Sequence, residues 1–257
     1  MLTLWTDDPV LAAEADAVGI DRIGPDFERL HKARRQQGLG YRLSQHRHEQ
    51  LPAIRRALLN SQLFVRTNPV NAGSGREVNR LLTAGAQVLM LPMFTTAEEV
   101  ARFIAIVAGR AHVVLLLEQA AAFERLDEIL AVEGIGEVHV GLNDLALSLV
   151  VPNRFALLTM PIMEDIAQRV HAAGLPLGLG GLGRLGDTSV PVAPDLIYAQ
   201  HARLGSSAAI IARSFLALGG DLAGEVSRAR VRLAYWRACD DDQLRAATET
   251  LRACTAS

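Results

Sequence analysis

The sequence predicts a (β/α)8 barrel, and three observations carry that expectation. The chain has 257 residues, half of them apolar, and a barrel of this kind occupies about 250 residues as one domain. Its apolar residues fall into eight bursts of strand length, several nearly continuous, as strands buried on both faces of a parallel sheet require. Amphipathic stretches of helical length separate the bursts, with the spacing of alternating strands and helices. A doubly wound open sheet shares the alternation but has fewer strands, so the barrel is preferred.

The elements follow in order. LTLW (2–5) is the first strand, and Asp8 then Pro9 read as N-cap and first residue of a helix over 8–18. IDRIGPDFE (20–28) is the second strand, with a helix expected over 48–60. LFVRTNP (63–69) leads into a helix over 76–84. VLMLPMF (88–94) leads into TTAEEVARFIAIV (95–107), whose threonine cap and acidic first turn favour a helix. HVVLLLE (112–118) precedes a helix over 120–131, and EVHVGLND (137–144) precedes one over 160–172. LPLGLGG (175–181) and SAAIIARSF (207–215) complete the eight. Gly19, Gly85 and Gly174 stand where three of these helices should stop. Residues 1–219 read as the barrel domain. Residues 220–257 read as a helical extension of two helices split near 240–242, which either cover the barrel's base or meet another subunit.

Composition narrows the function. A net charge of −2 gives no footing for nucleic acid, and no apolar run is long enough to cross a membrane. The start, MLTLWTDDPV, lacks the basic end and apolar stretch of a signal peptide. Cys239 and Cys254 both lie near the C-terminus, which excludes a disulfide framework or a cysteine metal site in the main body. A cytoplasmic enzyme is expected. Lys32 is the sole lysine beside 25 arginines, and it sits in the polar stretch HKARRQQG. A Schiff-base mechanism therefore has one candidate, poorly placed for burial at a strand end.

Chemistry in this fold lies at the C-terminal ends of the strands. There the second strand offers Asp26 and Glu28, the third Arg66 and Asn68, the fifth Glu118 and the sixth Asp144. Glu118 and Asp144 each end an apolar run with a carboxylate. Such a pair suits Mg2+ or Mn2+ and leaves most coordination positions for water and substrate; the plainer reading is two carboxylates capping the next helices. Arg66 can hold a substrate carboxylate or a developing enolate, or pair with Asp26 or Glu28, or do both. His46, in YRLSQHRH, is a candidate general base, with His48 an equally simple choice and His139 and His201 weaker ones. The cluster Gly178–Gly183, with Gly181 at its centre, is a candidate backbone cradle for a phosphate or carboxylate. Arg184 and Arg213 add cations for an anionic substrate.

The strings DRIGPDFE, VRTNP, MLPMF, LLLEQ and GLNDL, spread over roughly residues 2–216, resemble the citrate lyase beta-subunit and hydroxyketoacid aldolase family. The resemblance implies a phosphoenolpyruvate-binding type of barrel and a divalent ion held by a glutamate and an aspartate, here Glu118 and Asp144. It also implies an arginine on the oxoacid or enolate oxygen, here Arg66. It departs at Leu116, where aldolase members often carry glutamine, and at Met93, where lyase members often carry lysine. The implied activity is a metal-dependent aldolase working through a pyruvate-type enolate on a small oxoacid, in a homo-oligomer. The alternatives are an acyl-thioester lyase, a phosphoenolpyruvate-using enzyme, and a barrel that binds a metabolite without turnover.

Overall fold

A computed structural model describes residues 1–30, 46–217 and 219–256. Eight parallel strands close into one barrel in chain order: β1 (Leu2–Trp5), β2 (Arg22–Gly24), β3 (Gln62–Arg66), β4 (Val88–Leu91), β5 (His112–Leu117), β6 (Glu137–Val140), β7 (Leu177–Leu182) and β8 (Ala208–Ile211), with β8 pairing back to β1. The helices around it are α1 (Pro9–Ala17), α2 (Leu51–Ala57), α3 (Ser74–Thr83), α4 (Ala97–Val107), α5 (Ala120–Glu124), α6 (Leu126–Leu130), α7 (Leu142–Ser148), α8 (Pro161–Ala172), α9 (Pro194–Arg203) and α10 (Arg213–Ala217). The extension supplies α11 (Leu222–Arg237) and α12 (Asp241–Thr255).

The local signals act as their chemistry requires. Asp8 accepts the Val10 N–H at 2.9 Å with Pro9 at the first position of α1. Thr96 and Glu99 form a reciprocal capping box at α4. Gly19, Gly85 and Gly174 all take left-handed φ angles past their helices, where a side chain would be strained. Four stretches differ from the expectation. Residues 142–144 belong to α7 and 213–215 to α10, because the strands stop at Val140 and Ile211. The expected helix over 120–131 breaks at Arg125 into α5 and α6. The helix α9 had no signal in the apolar bursts, since Gln200 and His201 are buried polar residues within it.

The extension is packed on the barrel. Val226, Ala229, Leu233, Trp236, Ala247 and Leu251 join the outer core. Asp195, in the first turn of α9, accepts two bonds from Arg232, at 2.5 and 2.6 Å, and one from the Trp236 indole at 2.9 Å. Arg230 reaches the Gly19 carbonyl and Asp21 near the start of β2, and Arg237 the Ser206 carbonyl before β8. Among the described residues, no helix is long and apolar enough to cross a membrane.

Strand residues alternate between two cores. Odd positions of β4 and β5 such as Leu89, Leu91, Val113 and Leu115 face the helices. Phe64, Val88, Met90, Val114 and Leu116, with Trp5 and Ile210, form a separate cluster filling the barrel. Below that plug, where the strands begin, lies a buried charge layer. Arg22 donates to Glu137 at 2.6 Å, the His139 ring meets the other carboxylate oxygen at 2.5 Å, and His112 stands 3.5 Å away. Gly178 on β7 makes room for the His139 ring, since a Cβ there would overlap it.

Burial alone would push the Glu137 carboxyl up. Hydrogen bonds from His112 and His139 and the charge of Arg22 outweigh burial and hold it well below the usual range. A depressed carboxyl contributes stability that is present above its unfolded value of about 4.3 and is lost as pH falls towards the folded value. Glu137→Gln leaves Arg22 buried without its counter-charge and should cost about 3–5 kcal/mol in urea unfolding at pH 7. The variant should also lose part of the wild-type decline in stability below about pH 4.

Candidate active site

At the C-terminal rim the inward positions of β3 and β5 lead to Arg66 and Glu118. Arg66 ends β3 and lies against Asp26, which follows β2. The pair is bidentate, with Nε to Oδ1 at 2.8 Å and Nη2 to Oδ2 at 2.5 Å, and Glu28 stands 3.4 Å from Nη1. Asp26 and Glu28 are almost fully buried, while the Arg66 side chain keeps 14% exposure. Burial disfavours the charged guanidinium, but Asp26, Glu28 and Glu118 outweigh it and hold Arg66 protonated well above its ordinary range. Its cation lies 5.7 Å from the centroid of Trp5, which stacks on Phe64 at 4.7 Å.

Glu118 is 2% exposed immediately after β5. Its Oε1 accepts the Met93 N–H at 3.1 Å. Met93 reaches that position with a left-handed φ of 59°, an uncommon backbone state for a residue with a side chain. A Cβ at Gly141 would fall 2.7 Å from Glu118 Oε2 and 2.9 Å from its Cβ, so glycine is what lets the carboxylate lie against the end of β6. Gly141 caps α7, and Asp144, 6% exposed, is in the first turn of that helix. Glu118 thus lies against the start of the helix that carries Asp144, and its charge reaches Arg66.

The other expected residues are placed differently. Asp26 donates its backbone N–H to His46 Nδ1 at 2.8 Å, so the neutral ring keeps its proton on Nε2, 3.9 Å from Asp7. The lone pair that a base needs is occupied. Asn68 accepts the Arg29 and Leu30 N–H groups at 2.9 and 3.0 Å and donates to Glu77 at 2.9 Å, which ties the chain after β2 to the chain after β3. The glycine cluster lies within β7 instead of forming a turn. Gly181, at φ 90°, sits by a strand irregularity, with Phe155 and Leu142 in ordinary contact range of a Cβ there. Arg213 is exposed at the start of α10. Arg184 donates to the Gly219 carbonyl at 2.7 Å and stands 3.8 Å from Glu225, turned to the extension and not to the mouth. Lys32 lies outside the described residues.

Sequence reasoning missed Trp5, Met93 and Gly141 as parts of this rim. Only alternation along β1 could have marked Trp5 as inward.

A model of the HpcH/HpaI aldolase/citrate lyase family matches residues 4–179. The chain belongs to that family. The matched span includes Arg66, Glu118 and Asp144 and ends before Gly181, Arg213 and the extension. The family makes this chain an enzyme of the carbon–carbon lyase class. A hydroxypyruvate/pyruvate aldolase from Roseovarius nubinhibens is 25% identical over 194 residues, covering 63% of this chain and 68% of the relative. Among solved structures, an HpcH/HpaI aldolase/citrate lyase family protein from Burkholderia cenocepacia is 19% identical with a TM-score of 0.65, covering 93% of this chain and 95% of that one. The HpcH/HpaI aldolase from Desulfitobacterium hafniense is 16% identical with a TM-score of 0.62 and 93% of both chains covered. Citrate synthase SbnG is 18% identical with a TM-score of 0.62 and 91% of both covered. At these identities the structural likeness shows the shared barrel.

Gly141→Ala tests the cradle. The new methyl group displaces the Glu118 carboxylate while leaving the strands paired, so kcat/KM on an oxoacid substrate should fall by about 100-fold. The loss of stability should stay near 1 kcal/mol, the ordinary cost of alanine at a helix cap, read by urea denaturation.

Proposed function

We propose that this chain is a divalent-metal-dependent aldolase that makes or breaks a carbon–carbon bond through a pyruvate-type enolate. The observation that carries the reading is the buried Glu118 carboxylate, held by the Met93 N–H against Gly141 at the start of the helix that bears Asp144, and within the field of a locked Arg66. The donor set fits a hard cation. Both residues offer carboxylate oxygens, the donors a hard cation prefers. Glu118 and Asp144 would hold Mg2+ or Mn2+, leaving room for water and an oxoacid. The ion would supply Lewis acidity towards the ketone oxygen.

The chain's own residues do the rest. A guanidinium has five N–H groups, and the bidentate bond to Asp26 uses two of them. The remaining groups serve Glu28 and the substrate oxygen on which charge develops. Because Asp26 fixes the fork before substrate arrives, little reorganisation is needed as that charge grows. Trp5 and Phe64 close the floor below Arg66 and keep water from that side. His46 can act as a base only if its bond from the Asp26 N–H opens; in the closed arrangement it positions Asp26.

The test is exchange of the pyruvate C3 protons in D2O, followed by NMR with added Mn2+ or Mg2+. Wild type should exchange, a chelator should stop it, and Glu118→Gln or Asp144→Asn should slow it by about 1,000-fold or more. Full exchange in Glu118→Gln would refute the assignment. Cleavage of a citryl- or malyl-type thioester to a shorter acyl thioester and an oxoacid, without pyruvate exchange, would move the activity to the thioester branch.

A further inference from the structure

Outside the barrel, residues 48–49, α2 and α3 border an open groove of about 490 Å3; its lining is more apolar than polar and includes His48, Glu49, Arg55, Arg80 and Thr83. Its charge is mostly of one sign. Arg80 is exposed on α3, with its guanidinium on the lining. Arg55 gives one N–H to the Leu58 carbonyl at 3.0 Å and lies over Gly85, where a Cβ would come 3.1 Å from its Cδ. Its aliphatic part is therefore held in place while the rest of its fork remains available. Glu49 is the one carboxylate of the lining.

The His48 ring borders the groove and stacks on Phe27 with centroids 3.8 Å apart, its Nδ1 turned into the protein. Burial, followed by the charges of Arg80 and Arg29, lowers the His48 pKa, so the ring already senses a positive surround.

We propose that this groove binds a phosphate group. The guanidinium forks of Arg55 and Arg80 and the Thr83 hydroxyl supply donors from several directions. That suits a tetrahedral oxyanion with many acceptor oxygens better than a planar carboxylate with two. Phe27 lies between Asp26 and Glu28, so an occupied groove stands one side chain from the carboxylates that hold Arg66.

The test titrates the full chain at constant pH and ionic strength with inorganic phosphate and, separately, with glycerol 3-phosphate. The His48 ring signals are followed by NMR and assigned by their loss in His48→Gln. A saturable shift is expected, and whichever probe binds tighter tells free phosphate from a phosphorylated metabolite. Arg80→Gln and Arg55→Gln should each weaken binding by about tenfold, and Glu49→Gln should strengthen it. Arg80 and Glu49 are surface residues, so those variants fold and the test stands without Arg55→Gln. No saturable shift at His48, equal affinity in Arg80→Gln, or equal binding of acetate would overturn the proposal.

Discussion

A closed eight-strand barrel has little room inside, and this one fills part of that room with charge. The limit on interior volume governs its sequence. Each large inward side chain on one strand needs space from the next. Glu118 after β5 has it because Gly141 follows β6, and His139 on β6 has it because Gly178 faces it from β7. His112 lies likewise against Gly136. Between these sites the apolar plug of Phe64, Met90, Val114 and Leu116 separates two charged layers, one at each end of the barrel. The glycines are therefore part of the electrostatics: they decide which carboxylates can be buried and where.

The two layers solve the same problem for different ends. At the base, Glu137 meets Arg22, His139 and His112, and its donors are all protein groups. At the mouth, Arg66 is matched by Asp26 and Glu28, while Glu118 accepts a backbone N–H. A buried charge without enough partners is costly. At the base the Glu137 carboxylate is matched by the fold alone. The mouth keeps its arginine partly exposed and buries the Glu118 carboxylate against Gly141, at the start of the helix that carries Asp144.

Much of this was legible in the sequence where a signal was local. Apolar bursts located all eight strands, Asp8–Pro9 and Thr96–Glu99 marked helix starts, and Glu118 and Asp144 stood out as carboxylates closing apolar runs. What was not legible depended on distant partners. Arg66 could pair or bind substrate, and only closure between β2 and β3 shows Asp26 taking two of its N–H groups. His46 was a candidate base by its loop position, and only the fold shows its Nδ1 accepting the Asp26 N–H. Arg22, Glu137 and His139 were unreadable as a layer, because their strands are far apart in sequence and their charges look like surface residues. The helix α9 was missed for a related reason: Gln200 and His201 are buried against the extension and the strand ends, so polarity there does not mean exposure.

That last contact bears on why the extension exists. Gln200 bonds Thr248 of α12 at 3.1 Å, and Asp195 anchors α11 through Arg232 and Trp236. The α11 helix has 16 residues, which at 1.5 Å per residue spans about 24 Å. Near its start Glu225 faces Arg184, just beyond the C-terminal end of β7; towards its end Arg230 and Arg237 reach Asp21 and Ser206, just before β2 and β8. One helix thus runs the height of the barrel and ties mouth to base along the seam where β8 closes on β1. Closure of a parallel barrel brings its first and last strands together at the cost of a long loop in sequence. A helix that grips both ends of that seam holds the ring shut, and with it the geometry that Arg66 and Glu118 require.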